Sequence, residues 1–238
     1  MFKKIVEAAA AQSGIALDAG QLAQFSLYLE LLAQANEKMN LTAISGPEEI
    51  AVKHFIDSLT VYDAKYFPAG ALVCDVGTGA GFPGLPLKIF RPDLKVALLD
   101  ATAKKLAFLD RLIAALQLTG VGTCHIRAED AGRSPRWRER YDVVTARAVA
   151  PFKVLCEYCL PLVKVGGVFA AMRARRAREE SAEAENAAML LGGRTENIKE
   201  ARLPGRPDVR AIIYLRKIKP TPPLYPRKAG RMGKGPPL

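Results

Sequence analysis

The segment Val73-Cys74-Asp75-Val76-Gly77-Thr78-Gly79-Ala80-Gly81-Phe82-Pro83-Gly84 constrains the fold more than any other part of the chain. An apolar run ends on an acid, breaks into glycines and passes into a helix at the prolines. Glycine tolerates positive φ and has no Cβ, so backbone at such a turn can approach a small ligand closely. A strand–turn–helix of this kind belongs to open α/β sheets, and the remainder of the chain must supply the other strands.

It does. From Leu72 onward apolar runs alternate with helical patterns, the signature of a mostly parallel sheet with helices on both faces. Strands are predicted at 72–76, 95–99, 121–126, 141–145 and 167–172, and two more around 195–203 and 209–218. Pro204-Gly205-Arg206-Pro207-Asp208 reads as a hairpin connection between the last two. The clearest intervening helix is 103–116, where Leu106, Leu109, Ile113 and Leu116 share one face; another spans 176–191. Before the sheet, Leu22, Phe25, Leu29 and Leu32 form one stripe on a helix starting near Asp18, and 48–62 resumes a helical pattern after Gly46-Pro47. These patterns divide the chain into a helical cap (1–66), a core (67–219) and a basic, proline-rich tail (220–238). From Tyr214 onward there are seven Lys or Arg and no acid. Such a stretch builds no core by itself and is expected to be extended or mobile, or to order on RNA.

Ligands of open parallel sheets sit beyond the carboxyl ends of the strands. Asp75 and the glycines close the first strand. Asp100 closes the second, about 25 residues later, near the spacing at which an acid accepts ribose hydroxyls. Ala128-Glu129-Asp130 follows the third, where an adenine edge would lie, and Arg147 follows the fourth. Each acid alone is equally an N-cap, but four strand ends in one order indicate a nucleoside-type cofactor. Gly79-x-Gly81-x-x-Gly84 fits the dinucleotide fingerprint, whereas Asp-x-Gly-x-Gly-x-Gly from Asp75 fits the first motif of S-adenosylmethionine (AdoMet) methyltransferases. A carboxylate before the glycines repels a pyrophosphate and suits an ammonium and a sulfonium; AdoMet therefore fits better than NAD. An NAD-dependent oxidoreductase and a non-catalytic RNA-binding module remain as alternatives.

Composition narrows the partner. The formal charge is +11, from 35 basic and 24 acidic side chains, which favours a polyanion such as nucleic acid. Four scattered cysteines do not make a disulfide scaffold, and neither a secretory signal nor a membrane-length apolar run is present. A cytoplasmic protein with reduced thiols is expected, with no membrane and no obligate protein partner.

The chain resembles the bacterial small-subunit rRNA guanine-N7 methyltransferases, also called the glucose-inhibited division protein B family. The resemblance rests on Asn36 with Asn40-Leu41-Thr42, Lys53-His54-Phe55-Ile56-Asp57-Ser58-Leu59, the Asp75–Gly84 loop, Leu98-Leu99-Asp100 with Lys104-Lys105, Arg147-Ala148, and Tyr225-Pro226-Arg227-Lys228-Ala229-Gly230. It covers nearly the whole chain. It implies a Rossmann-like seven-stranded methyltransferase fold with an N-terminal helical cap, AdoMet as cofactor, and methylation of N7 of one guanosine in 16S rRNA of the small ribosomal subunit. Carried over, cofactor contacts fall at Gly77, Phe82, Ala128, Glu129 and Arg147, with Asp100 at the ribose; Asp75 and Gly79 complete the loop. Relatives commonly carry Lys-Gly after the fifth strand, where this chain has Arg173-Ala174, and the tail from Arg231 also departs from the family pattern.

Guanine N7 has an in-plane lone pair, so no general base is required and no obligate catalytic residue is expected. Arg147 is a candidate anchor for the methionine carboxylate or an RNA phosphate, or a structural ion pair. Thr145-Ala-Arg147-Ala-Val-Ala-Pro151-Phe152 lacks the Asn/Asp-Pro-Pro motif of exocyclic-amine methyltransferases, and that strand offers no cysteine nucleophile. Candidate RNA contacts are His54, Arg173, Arg175, Arg176, Arg227 and Lys228; for His54 and Asp57 a role joining cap to core competes with lining a substrate cleft. His125 receives no role. Cys156-x-x-Cys159 lies on a predicted helix without a second pair, so burial is expected there and no metal site.

Overall fold

The computed structural model describes residues 2–44, 46–147, 149–174, 176–207 and 209–228. Seven strands, β1 (Leu72–Val76), β2 (Lys95–Asp100), β3 (Val121–His125), β4 (Tyr141–Arg147), β5 (Val163–Arg173), β6 (Gly193–Arg202) and β7 (Val209–Lys217), form one sheet in the order β3-β2-β1-β4-β5-β7-β6. β1 to β5 run parallel, and the β6–β7 hairpin adds antiparallel to β5. The strand order reverses between β1 and β4, and that switch point opens the crevice in which such sheets bind ligands.

Each face of the sheet has its own core. On one face lie α1 (Phe2–Gln12), α2 (Ala19–Met39), α3 (Pro47–Ile50), α4 (Asp57–Leu59), α5 (Gly84–Phe90) and α6 (Ala103–Ala115). On the other lie α7 (Ala128–Arg133), α8 (Phe152–Cys159), α9 (Ala177–Glu183) and α10 (Glu185–Leu190). The predicted stripe of α2 is buried: Phe25, Leu29 and Leu32 are 0 % exposed and share a cluster with Val73, Leu98 and Val143 of the sheet. Burial of each such side chain contributes about 1.5–3 kcal/mol, so the N-terminal helices are fastened to the sheet through one continuous core. Asp18 and Gln21 close a capping box at the start of α2, satisfying two otherwise orphaned backbone donors. Further along α2, the Tyr28 hydroxyl donates to the Ala80 carbonyl at 2.6 Å and so pins the glycine loop.

Three expectations are corrected. The predicted helix 48–62 is interrupted: Ala51–Ile56 is a π-helix between α3 and α4. Its wider turn leaves the Lys53 carbonyl to accept from Arg147 Nη1 at 3.2 Å. The predicted helix 176–191 is two short ones, divided at Ala184, which packs at 0 % exposure in the second core. The tail is ordered and docked through Lys228. Its proline-rich backbone has no ladder partners, and the Arg138 guanidinium supplies donors in their place. Arg138 bonds the carbonyls of Gly132, Thr221, Pro222 and Tyr225 at 2.6–3.2 Å. Arg133 adds the Pro226 carbonyl at 3.0 Å. The remaining tail, 229–238, lies outside the described residues.

Candidate active site

The Asp75 carboxylate is 0 % exposed at the end of β1. One oxygen accepts from the Thr78 hydroxyl (2.7 Å) and the Gly84 amide (3.0 Å), and the other from the Thr145 hydroxyl of β4 (3.1 Å). It therefore staples the start, the end and the neighbour of the glycine loop. Burial lifts its pKa to about 6 against the pull of those donors. Gly77 and Gly79 take φ of 68° and 59°, the left-handed region that side chains resist. A Cβ on Gly77 would lie 2.6 Å from Val149 Cγ2. The loop is held against β2: the Gly77 and Thr78 amides bond the Leu99 carbonyl at 2.8 and 3.0 Å, and the Gly79 amide bonds Asp100 at 3.0 Å.

Beyond the ends of β1, β2 and β3 lies a cleft of about 360 Å³, walled by Gly77, Leu99, Asp100, Ala128, Glu129 and Val149 among others. Asp100 gives one oxygen to the Gly79 amide and the other to the Thr102 amide. Each oxygen retains a lone pair, the acceptor capacity that two ribose hydroxyls require. Glu129 is 4 % exposed and makes no hydrogen bond or ion pair among the described residues. Its carboxylate oxygens are not among the sealed, unpartnered atoms and are free to accept from a ligand edge carrying an amino group, such as adenine. The walls thus fit a nucleoside cofactor.

Arg147, at the end of β4, points away from this cleft toward the π-helix. Its guanidinium bonds Asp57 Oδ2 at 3.0 Å and meets His54 Nδ1 at 3.2 Å. The other His54 nitrogen meets the Thr42 hydroxyl at 2.7 Å. His54 stacks on Phe82 (centroids 4.6 Å apart), which stacks in turn on Tyr28 at 5.4 Å. Burial and the Arg147 charge push the His54 pKa down to about 3, so the ring is neutral. Asp57 also receives Arg210 of β7 at 3.1 Å. A second cleft, about 430 Å³, opens between this network and the ends of β4 and β5.

The structure sorts the sequence candidates. Gly77, Asp100, Ala128 and Glu129 meet in the first cleft. Gly79 sits one hydrogen bond behind it, on Asp100. Asp75 is sealed beneath the loop, and Phe82 is buried in the Tyr28–His54 stack, so both shape the site without facing the first cleft. Arg147 belongs to the second cleft. Arg173, expected to meet RNA, grips Glu180 at 2.7 and 2.8 Å and the Ala150 carbonyl at 3.1 Å. Arg176 is open to solvent, with its side chain 72 % exposed. Arg227 departs most from expectation, pairing with Glu157, whose side chain is 1 % exposed, at 2.7 Å. A buried carboxylate outcompetes solvent for that guanidinium. Lys228 is exposed, His54 is committed to Thr42 and Arg147, and Arg175 lies outside the described residues. Cys156 and Cys159 are 0 % exposed, as their helical context suggested. Arg210 and Arg138 were missed, since neither lies in a motif and the strand pattern of β7 gives Arg210 no special standing.

Fold and cleft together define a Rossmann-like domain of the methyltransferase fold, with a nucleoside-sized cleft beyond the strand ends. A family model described as GidB, rRNA small subunit methyltransferase G, matches residues 21–208, and the chain belongs to that family. Chains named ribosomal RNA small subunit methyltransferase G agree over almost their full length. That of an Exiguobacterium species is 48 % identical, covering 98 % of both chains. That of Bacillus subtilis is 48 % identical, covering 95 % of both. Among solved structures, M. jannaschii TYW2 in complex with AdoMet superposes with a TM-score of 0.54 at 16 % identity, over 69 % of this chain and 76 % of that one. TrmN from Thermus thermophilus gives 0.50 at 21 % identity, over 69 % and 48 %. At such identities they attest the fold. No helix among the described residues is long and apolar enough to cross a membrane.

Proposed function

We propose that the chain methylates N7 of one guanosine in the 16S rRNA of the small ribosomal subunit, in the cytoplasm, using AdoMet. Kinship over nearly the whole chain to proteins named for small-subunit rRNA methylation carries the reading, and the cleft with Glu129 in its wall supports the cofactor. When bound, AdoMet supplies an electrophilic methyl group on a sulfonium. Asp100 would accept ribose hydroxyls, Glu129 would accept the adenine amino group, and Gly77 would allow close backbone approach. Guanine N7 presents its own lone pair, so no side chain must take a proton. His54, neutral and bonded at both nitrogens, is in keeping with a site that aligns rather than deprotonates its acceptor. The net charge of +11 favours an RNA substrate.

Incubation with methyl-labelled AdoMet and unmodified 16S rRNA or 30S subunits, followed by digestion to nucleosides, tests this. Label is expected in 7-methylguanosine and is expected to vanish in Gly77→Asp, whose side chain would collide with Val149. Label in a different nucleoside refutes the N7 assignment. Absence of label on either substrate, with S-adenosylhomocysteine (AdoHcy) still bound, refutes the rRNA assignment.

A further inference from the structure

Resting on that reading, we infer that the second cleft seats the acceptor nucleotide, its base against the Met172 and Ala211 side of the wall and its phosphate toward Arg210 and Arg176. The two clefts share a wall. Arg173 lines the second, and its Nη1 bonds the carbonyl of Ala150, which lines the first. The two clefts thus lie side by side, joined through the Arg173–Ala150 contact. The volume, about 430 Å³, falls within the ~300–1,000 Å³ of small-molecule pockets. A guanine must leave its stack before its reactive atom can enter such a recess.

Charge points the same way. Among the described residues, Arg147, Arg173, Arg176 and Arg210 line the cleft together with two carboxylates, Asp57 and Glu180. Both carboxylates are consumed: Asp57 lies between Arg147 and Arg210 at 3.0 and 3.1 Å, and Glu180 is gripped by Arg173. A positive excess remains at the mouth, where Arg176 touches Glu183 only at 3.6 Å with both side chains exposed. Between the arginines the wall is apolar and suits the face of a base. A latch joining the N-terminal helices to the sheet would use the Asp57 pairs but would need no recess before them. The ligand class is therefore a planar base carrying a phosphodiester, which Arg recognises through paired N–H donors.

The test uses Arg210→Ala, Arg210→Lys and Arg176→Glu in the full chain, with KM for 16S rRNA, rRNA retention in filter binding, AdoHcy affinity by calorimetry, and Tm. Arg210→Ala is expected to raise KM for rRNA and weaken retention roughly tenfold, the loss of one charged hydrogen bond, leaving AdoHcy affinity within about twofold. Arg210→Lys, which keeps the charge but lacks the paired N–H fork, should recover only part of the loss. If Arg210→Ala fails to fold, Arg176→Glu decides, because its exposed side chain supports no packing; it should weaken rRNA binding at unchanged Tm. Unchanged rRNA binding in the folded variants, or a parallel fall in AdoHcy affinity, overturns the assignment. Failure of the wild type to form 7-methylguanosine would refute the reaction instead, and retention without turnover would still report on the cleft.

Discussion

Replacing Asp75 by Asn separates the hydrogen bonding of this side chain from its charge. The carboxyl is sealed beneath the glycine loop, and burial raises its pKa from 3.8 to about 6. Below 3.8 the group is neutral in both folded and unfolded chains. As pH rises the unfolded chain ionises first, so stability is withdrawn between pH ~4 and 6 and no further above. Two pKa units correspond to about 3 kcal/mol. The amide of Asp75→Asn can keep every contact: its oxygen takes the Gly84 amide and the Thr78 hydroxyl, and its NH2 donates to the Thr145 hydroxyl, which can turn to accept. It has no proton to lose. Urea unfolding at about pH 4 and pH 7 should therefore show the variant gaining about 3 kcal/mol on the wild type between the two. Asp75→Ala, which orphans the Gly84 amide, should instead lose about 2–4 kcal/mol already at pH ~4. An identical difference between wild type and Asp75→Asn at both pH values would refute the argument, because it would mean that the folded carboxyl titrates as it does in the unfolded chain.

Two further outcomes follow from the geometry. The depressed pKa of His54, about 3 against an ordinary 6.5, means the unfolded chain protonates while the folded one does not, so stability falls as pH drops from 6.5 toward 3. Histidine-ring NMR should show His54 neutral at pH ~5, and His54→Gln should flatten the acid loss in urea unfolding. Arg138→Ala removes the donors of four carbonyls and should cost about 2–4 kcal/mol. Trypsin with mass spectrometry should then cut between 217 and 228 in the variant under conditions that leave the wild type intact.

How much of the site was legible depends on how far apart its parts lie in sequence. Gly77, Asp100, Ala128 and Glu129 each follow a strand, and the topology of a parallel sheet gathers strand ends into one cleft. Reading the strands was therefore enough to bring these residues together. Asp75 was read as facing the cofactor because a carboxylate beside glycines suits a cation, yet three donors, one from β4, turn it inward. That choice depends on register between β1 and β4, which local sequence does not encode. Arg227 belongs to the same class: a basic tail reads as an RNA arm until a buried Glu157, 70 residues away, is found waiting for it.

By itself the sequence determined the alternation of strands and helices, the buried stripe of α2, the hairpin that ends the sheet and the glycine turn at its centre. Each follows from periodicity or from backbone freedom within a few residues. Only the tertiary structure decided which charges stay free. The π-helix that hands the Lys53 carbonyl and Asp57 to Arg147, the docking of the tail on Arg138, and the recess in front of Arg210 all arise from partners 83 to 153 residues apart. A charged side chain settles with whichever buried, complementary group lies within hydrogen-bonding reach, and that reach exists only after the chain has folded.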